Sequence, residues 1–287
     1  GEGEPTDEAY KDPVTLTAAG GWKHTWSDLD KYYEDEGEYK AYNYYVREVS
    51  ISDGSETNTL TEQGTIQVGD TEFVVSYDTT KTNAAIIATI TNRPVGTCSV
   101  EKVWWNEGGT TPVSVTVGLY QETDNGIGPV MDKDSKPITI TLPYEGKWSH
   151  TWTDLYKYDA DGTAIRYVVR ELDEDGNPVS NGDSVTVDGT DYTVYYDGFT
   201  IHNVREETLT IEKTVTGDAA DPGRQFTFEV GFTYDEDMPA GSTGPYAYTV
   251  YDAKTKEPVE GGTDTIPSAG GTISLTGGQR AVIEGLP

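Results

Sequence analysis

Apolar and polar side chains alternate along short stretches of the chain. The pattern runs through "VEKVWW" (100–105), "VSVTVGLY" (113–120), "PITITL" (137–142), "RYVVREL" (166–172), "YTVYYD" (192–197) and "FTIHNV" (199–204). It resumes in "LTIEKTV" (209–215) and "FTFEVGF" (226–232), and "TISLTGGQRAVIEGLP" (272–287) reads as two strands about a Gly-Gly turn. Successive side chains of a strand point to opposite faces, so a period of two predicts strands with one face in a core. Polar turn signals separate the stretches, and no stretch carries a convincing helical period. The pattern predicts an all-β chain of stacked β-sandwiches.

The pattern also repeats. "GGWKHTWSDLDKYYEDEGEYKAYNYYVREVS" (20–50) parallels "GKWSHTWTDLYKYDADGTAIRYVVRELD" (146–173). "KDPVTLT" before the first matches "SKPITIT" before the second, and "FVVSYD…IIATITN" matches "YTVYYDGFTIHN" after them. Four segments in a shared order make a tandem domain repeat. The second copy opens with "SVEKVWWNEGGTTPVSVTVGLYQ" (99–121), which has no counterpart in the first. Three domains are therefore expected: 1–94, a sandwich lacking its first strand or strands; 95–205, a complete sandwich; and 206–287, the opening part of a third.

Composition narrows the class. Against 20 Lys and Arg stand 50 Asp and Glu, a net charge of −30 over 287 residues. Nucleic acid and anionic membrane repel such a surface, so neither is an expected partner. Twenty Tyr and six Trp provide large apolar areas although hydrophobic residues are only 34%. The single cysteine, Cys98, forms no internal disulfide and falls between two copies, where it reads as a chance linker residue. No window resembles a membrane span, no signal peptide opens the sequence, and its ends read as those of a fragment.

Three polar residues sit on apolar stripes of the second copy. Lys102 shares a parity with Val100 and Trp104, Glu171 with Tyr167 and Val169, and Asn203 with Phe199 and Ile201. Buried polar groups need partners, and the economical arrangement is that these three meet. A lysine in apolar surroundings gives up its proton more readily and becomes a nucleophile. The carboxamide carbon of asparagine is an electrophile. A buried carboxyl group can stay protonated, polarise the amide oxygen and carry protons between amine and leaving group. Lys102 would attack Asn203, ammonia would leave, and an isopeptide bond would remain, once per molecule and without turnover.

The frame "VEKVW…VTVGLY…PITI…TWTDL…KYDADG…Y-x-V-x-E…I-x-N" resembles the Cna B-type domain of Gram-positive adhesin and pilin stalks. The resemblance implies immunoglobulin-like β-sandwiches in tandem as an elongated stalk, with a Lys102–Asn203 crosslink assisted by Glu171. In the first copy it implies Glu48 as the assisting acid and Asn92 as an acceptor without its lysine, since Lys11 sits at a turn. In the third unit, similar to another isopeptide-bearing pilin-like module, it implies Lys213 without its partners. The function implied is a structural segment of a cell-wall-anchored surface protein, outside the cell and not an enzyme. Its partners would be neighbouring domains of the same protein, with host matrix or glycan reached through another region. The alternative is an adhesin module that itself contacts matrix or glycan.

Other chemistry is less supported. His24 and His150 occupy one repeat position in separate domains, and His202 faces away from Asn203, so no metal site is expected; a zinc site needs clustered ligands. "DADG" (159–162) and "DEDGN" (173–177) lack the acidic ladder of a calcium loop and read as hairpin turns. Trp148 and Trp152 alternate as core residues do, not as a sugar-stacking platform. No cofactor is implied.

Overall fold

The computed structural model describes residues 10–52, 56–61, 64–82, 85–105, 112–217, 221 and 223–287. Among them there is no helix, and the regular structure is 21 β-strands. The segment 106–111, which the pattern places between two strands, lies outside the described residues, as do residues 1–9. The chain divides into two compact units. One holds residues up to Val49 together with Ser76–Thr91; the other holds Ser50–Val75 and Asn92–Pro287.

In the first unit β1 (Tyr32–Asp35) and β2 (Glu38–Ala41) form an antiparallel hairpin. The turn residues Glu36 and Gly37 are both left-handed, at φ 50° and 84°, as a two-residue hairpin requires. Residues 42–49, expected as an aromatic strand, are not in a regular strand. They keep the alternation, with Tyr42, Tyr44, Val46 and Glu48 half-buried and the residues between exposed. Tyr42 and Tyr44 stack at 5.6 Å, Tyr10 lies against both, and its hydroxyl donates to Asp30 Oδ2 at 2.7 Å. No described residue of this unit is buried.

Four further strands follow in order: β3 (Ser50–Ser52) pairs β4 (Thr57–Thr59), and β5 (Thr65–Val68) pairs β6 (Thr71–Lys81). The long strand β7 (Ile86–Trp105) leads into the second copy of the repeat. There it is joined by β8 (Val115–Thr123), β9 (Gly126–Pro129), β10 (Thr139–Leu142), β11 (Ser149–Tyr156), β12 (Tyr167–Glu171), β13 (Ser184–Val187), β14 (Thr190–Asp197) and β15 (Thr200–Val204). One sheet has the order β10-β8-β12, with β9 on β8. The facing sheet runs β13-β14-β15-β7-β6-β5, with β11 on β7. All recorded pairings in this copy are antiparallel except β15 on β7, which is parallel, Ile201 opposite Lys102 and Asn203 opposite Trp104.

The core between these sheets draws on both. Cys98, Val100, Trp152, Val194 and Ile201 come from one, and Val117, Leu119, Leu142 and Val169 from the other. Cys98 is therefore a core residue of β7, 4% exposed, and not the linker residue expected from its place between copies. Burial pushes its thiol up to about 11, which keeps it neutral and unreactive. Phe199, expected on the inner stripe with Asn203, is largely exposed because it lies in the turn before β15.

The last six strands form a separate core. They are β16 (Glu207–Lys213), β17 (Phe226–Val230), β18 (Tyr246–Asp252), β19 (Pro258–Ile266), β20 (Gly271–Leu275) and β21 (Gln279–Leu286). Sheet β16-β21-β18-β19 and the pair β17-β20 bury Val250, Ile266, Ile273, Leu275 and Ile283. The turn into β20 demands glycine: Gly270 has φ +93°, and a Cβ there would lie 2.3 Å from the Val230 carbonyl oxygen.

Candidate crosslink site

Lys102, Glu171 and Asn203 meet inside the second copy. Parallel pairing of β7 and β15 sets Lys102 and Asn203 diagonally across two neighbouring strands on the inner face of one sheet, and Glu171 reaches them from β12 in the other. Their burial is nearly complete, at 3%, 0% and 0% exposure. The Glu171 carboxyl group touches both neighbours. Its Oε2 lies 3.4 Å from Lys102 Nζ, and its Oε1 accepts a hydrogen bond from Asn203 Nδ2 at 2.9 Å.

The surroundings are apolar. Lys102 Nζ sits 4.1 Å over the Trp104 ring, which packs edge-on against Trp148 at 5.4 Å and Tyr192 at 5.0 Å. Its contact with the backbone is long, to the Val103 carbonyl at 3.4 Å. Burial pulls the Lys102 ammonium down to about 7, against the nearby Glu171 carboxyl, which favours the charge. Near neutral pH a substantial fraction of the amine is therefore unprotonated and nucleophilic. Among the described residues Asn203 Oδ1 has no hydrogen-bond donor, and Glu171 Oε2 has only the Lys102 amine at 3.4 Å. Leaving a buried acceptor such as Asn203 Oδ1 unsatisfied costs about 1–3 kcal/mol.

Glu171 is held through its main chain as well. It pairs with Val117 on β8, and its own carbonyl accepts the Val179 N–H at 2.9 Å. Its N–H donates to the Tyr196 hydroxyl at 3.1 Å. On the opposite face of β15, His202 is also buried, and its Nδ1 accepts the Trp105 indole N–H at 3.1 Å. Burial lowers the pKa of His202, with Lys102 contributing, so the ring favours its neutral form. Neither Tyr196 nor the Trp105–His202 pair was singled out by the strand pattern. A signal for Tyr196 was present: it ends the inner stripe Tyr192, Val194, Tyr196, and Tyr77 ends the matching stripe of the first copy.

The remaining candidates lie elsewhere. Glu48 is half-buried in the first unit, at the end of the Tyr42, Tyr44, Val46 stripe, and its N–H donates to the Tyr77 hydroxyl at 3.2 Å. Asn92 is half-buried in β7 and belongs to the second unit. Lys213 ends β16 opposite Gln279, its ammonium 4.1 Å over the Phe226 ring. Lys11 is exposed, its ammonium 5.5 Å from the Tyr10 ring centre. His24 and His150 pack edge-on against Trp26 and Trp152 at 4.7 and 5.0 Å. Asp159 and Asp173 close hairpin turns, each accepting main-chain N–H groups two and four residues on.

Comparison with known proteins places the chain. A collagen adhesin of Staphylococcus aureus is 28% identical over 162 residues, which are 55% of this chain and 10% of that protein. The chain thus spans about a tenth of the length of that relative. Among solved structures, the major pilin of Streptococcus pyogenes is 15% identical, over 69% of this chain and 79% of its own, with a TM-score of 0.28. The pilus adhesin SpaC of Lactobacillus rhamnosus GG is 17% identical, over 79% of this chain and 25% of its own, with a TM-score of 0.29. The sequence model of a domain of unknown function, DUF7601, matches residues 207–287. That of the Cna protein B-type domain matches residues 4–71 and 98–204, more than half of the sequence, and the chain belongs to this family.

Proposed function

We propose that this chain is a structural segment of a Gram-positive cell-surface adhesin or pilin, stiffened by a self-formed Lys102–Asn203 isopeptide bond. The observation that carries the reading is the buried Glu171 carboxyl group in contact with both the amine and the carboxamide. The reaction balances within the three side chains. Neutral Lys102 Nζ attacks Asn203 Cγ, the Nζ–Cγ bond forms, and the Cγ–Nδ2 bond breaks. Glu171 takes a proton from Nζ and delivers one to Nδ2, which departs as ammonia. Fixed neighbours in a dry site need no encounter, and proximity supplies much of the acceleration. The segment would comprise three domains, 1–94, 95–205 and 206–287, with Glu48, Asn92 and Lys213 as members of further crosslink sites.

The bond would tie the first strand of the middle domain to its last and close a loop of about a hundred residues. By analogy with a disulfide of that span, it would add roughly 4–5 kcal/mol. Under tension, load entering through β7 would leave through β15 by a covalent path. Intact mass is the test: the chain should weigh one ammonia less than its sequence, and Lys102→Ala should retain the full mass. A wild-type chain of full mass overturns the crosslink. Tight binding of this chain to collagen or a glycan would replace the structural reading with that of an adhesin module.

A further inference from the structure

We propose that Tyr196 is a positioning residue for Glu171, holding the assisting carboxyl group at the Lys102–Asn203 pair; this rests on the crosslink reading above. Tyr196 projects from the inner face of β14, beside the strand that carries Asn203, with Val194 opposite Asn203 and Tyr196 opposite Ile201. Its hydroxyl crosses to the other sheet. There it accepts the Glu171 N–H at 3.1 Å and donates to the Val179 carbonyl at 2.9 Å. The Val179 N–H in turn donates to the Glu171 carbonyl at 2.9 Å. In an ordinary antiparallel pair the Glu171 N–H would bond the Val179 carbonyl directly. The phenol is inserted into that half of the pair as a relay. A rigid ring anchored in the Lys102–Asn203 sheet therefore sets how far the Glu171 main chain stands from that sheet.

The tyrosine is held at its main chain and at its ring. The Tyr196 N–H donates to Asn181 Oδ1 at 2.9 Å, and the Arg170 guanidinium lies 4.6 Å from the ring centre. Independent support comes from the first copy. Tyr77 holds the same place in "FVVSYD" that Tyr196 holds in "YTVYYD", and its hydroxyl accepts the N–H of Glu48, the counterpart of Glu171, at 3.2 Å. Tyr77 is 44% exposed. Core burial therefore does not explain why the tyrosine is there, yet the hydroxyl contact to the glutamate is the same. The shared feature of the two copies is a tyrosine hydroxyl gripping the backbone of the assisting acid.

A misplacement of a reacting group by 1 Å costs about a hundredfold, so loss of the grip is expected to slow bond formation by about tenfold or more. The experiment follows ammonia loss by intact mass in the full chain after a short pulse of cell-free synthesis, for wild type, Tyr196→Phe and Asn181→Ala. Residue-resolved amide exchange of the products accompanies it. The expected result is slow crosslinking in Tyr196→Phe and intermediate slowing in Asn181→Ala. The Glu171 amide should exchange faster, while the amides of Lys102 and Asn203 stay protected. Wild type that never loses ammonia overturns the crosslink itself. Wild type that loses it while Tyr196→Phe keeps pace overturns only the role of the tyrosine. Slowing accompanied by equal exposure of the Lys102 and Asn203 amides also overturns that role, since it marks general loosening. Should Tyr196→Phe not fold, an unchanged rate in Asn181→Ala overturns the role in its place.

Discussion

At Lys102 an amine has lost most of its water, and the consequence is chemical. With its pKa near 7, the ammonium form dominates below neutrality, and its lone pair is then engaged by a proton. Crosslinking of freshly synthesised chain should speed up as pH rises through about 7 and level off above it; a rate that falls over that range would show that the neutral amine is not the attacking group. In the proposed reaction Glu171 assists and is not consumed. Glu171→Ala should crosslink about 10²–10⁴-fold more slowly, the usual range for a lost acid–base group. Retention of the ammonia mass over the period in which wild type is fully converted is the measurement.

Among elements, the decisive one is the parallel pair β7 and β15. These are the first and last strands of the second copy, and their adjacency is what would let a single covalent bond span it. Glu171 enters from the other sheet, so the three residues come together only when both sheets close on the core. Lys102→Ala should lower the unfolding free energy of this domain by about 4–5 kcal/mol, read as a lower midpoint in guanidinium. A midpoint equal to that of wild type would mean the strands carry no crosslink. The turns are settled more locally. Asp154 in "WTDL" and Asp28 in "WSDL" both have φ 57°, and in the second copy that residue lies in the bulge between Trp152 and Leu155. The same four-residue motif produces the same backbone kink whether or not a sheet forms around it.

For the molecule as a whole, the two copies of one motif have different fates. Trp152 is 8% exposed, whereas Trp26 at the same repeat position is only half-buried and Trp22 is 66% exposed. Val100, Val115, Val117 and Leu119 cover the second copy, and all four come from the segment 99–121 that has no counterpart among residues 1–94. Burial of four such side chains contributes roughly 6–12 kcal/mol, comparable to the stability of an entire domain. Limited proteolysis should therefore cut within residues 10–61 long before it cuts within 112–217 or 223–287. A synthetic peptide bearing the sequence of residues 99–121 should protect the first copy and shift the emission of Trp22 to shorter wavelength. Equal resistance along the whole chain, or no response to the peptide, would show that the first copy needs no such segment.

Strand parity alone determined which face Lys102, Glu171 and Asn203 occupy, because successive side chains on a strand alternate whatever the surroundings. The tandem repeat, the hairpin turns at Asp159 and Asp173 and the all-β class were legible for the same reason: each is set by residues adjacent in the chain. What lay beyond the sequence depended on contacts between distant segments. Cys98 looked like a linker and is core, because β7 continues through it without a break. Residues 42–49 carry the alternation of a strand but form no regular one, since hydrogen bonds to a neighbour, and not the pattern, make a strand. The placement of the Tyr196 hydroxyl between Glu171 and Val179 required the distance between two sheets, a quantity no single strand contains. Only the closed sandwich decided that the three polar residues share one dry site, because burial is a property of the assembled core and not of the strand that enters it.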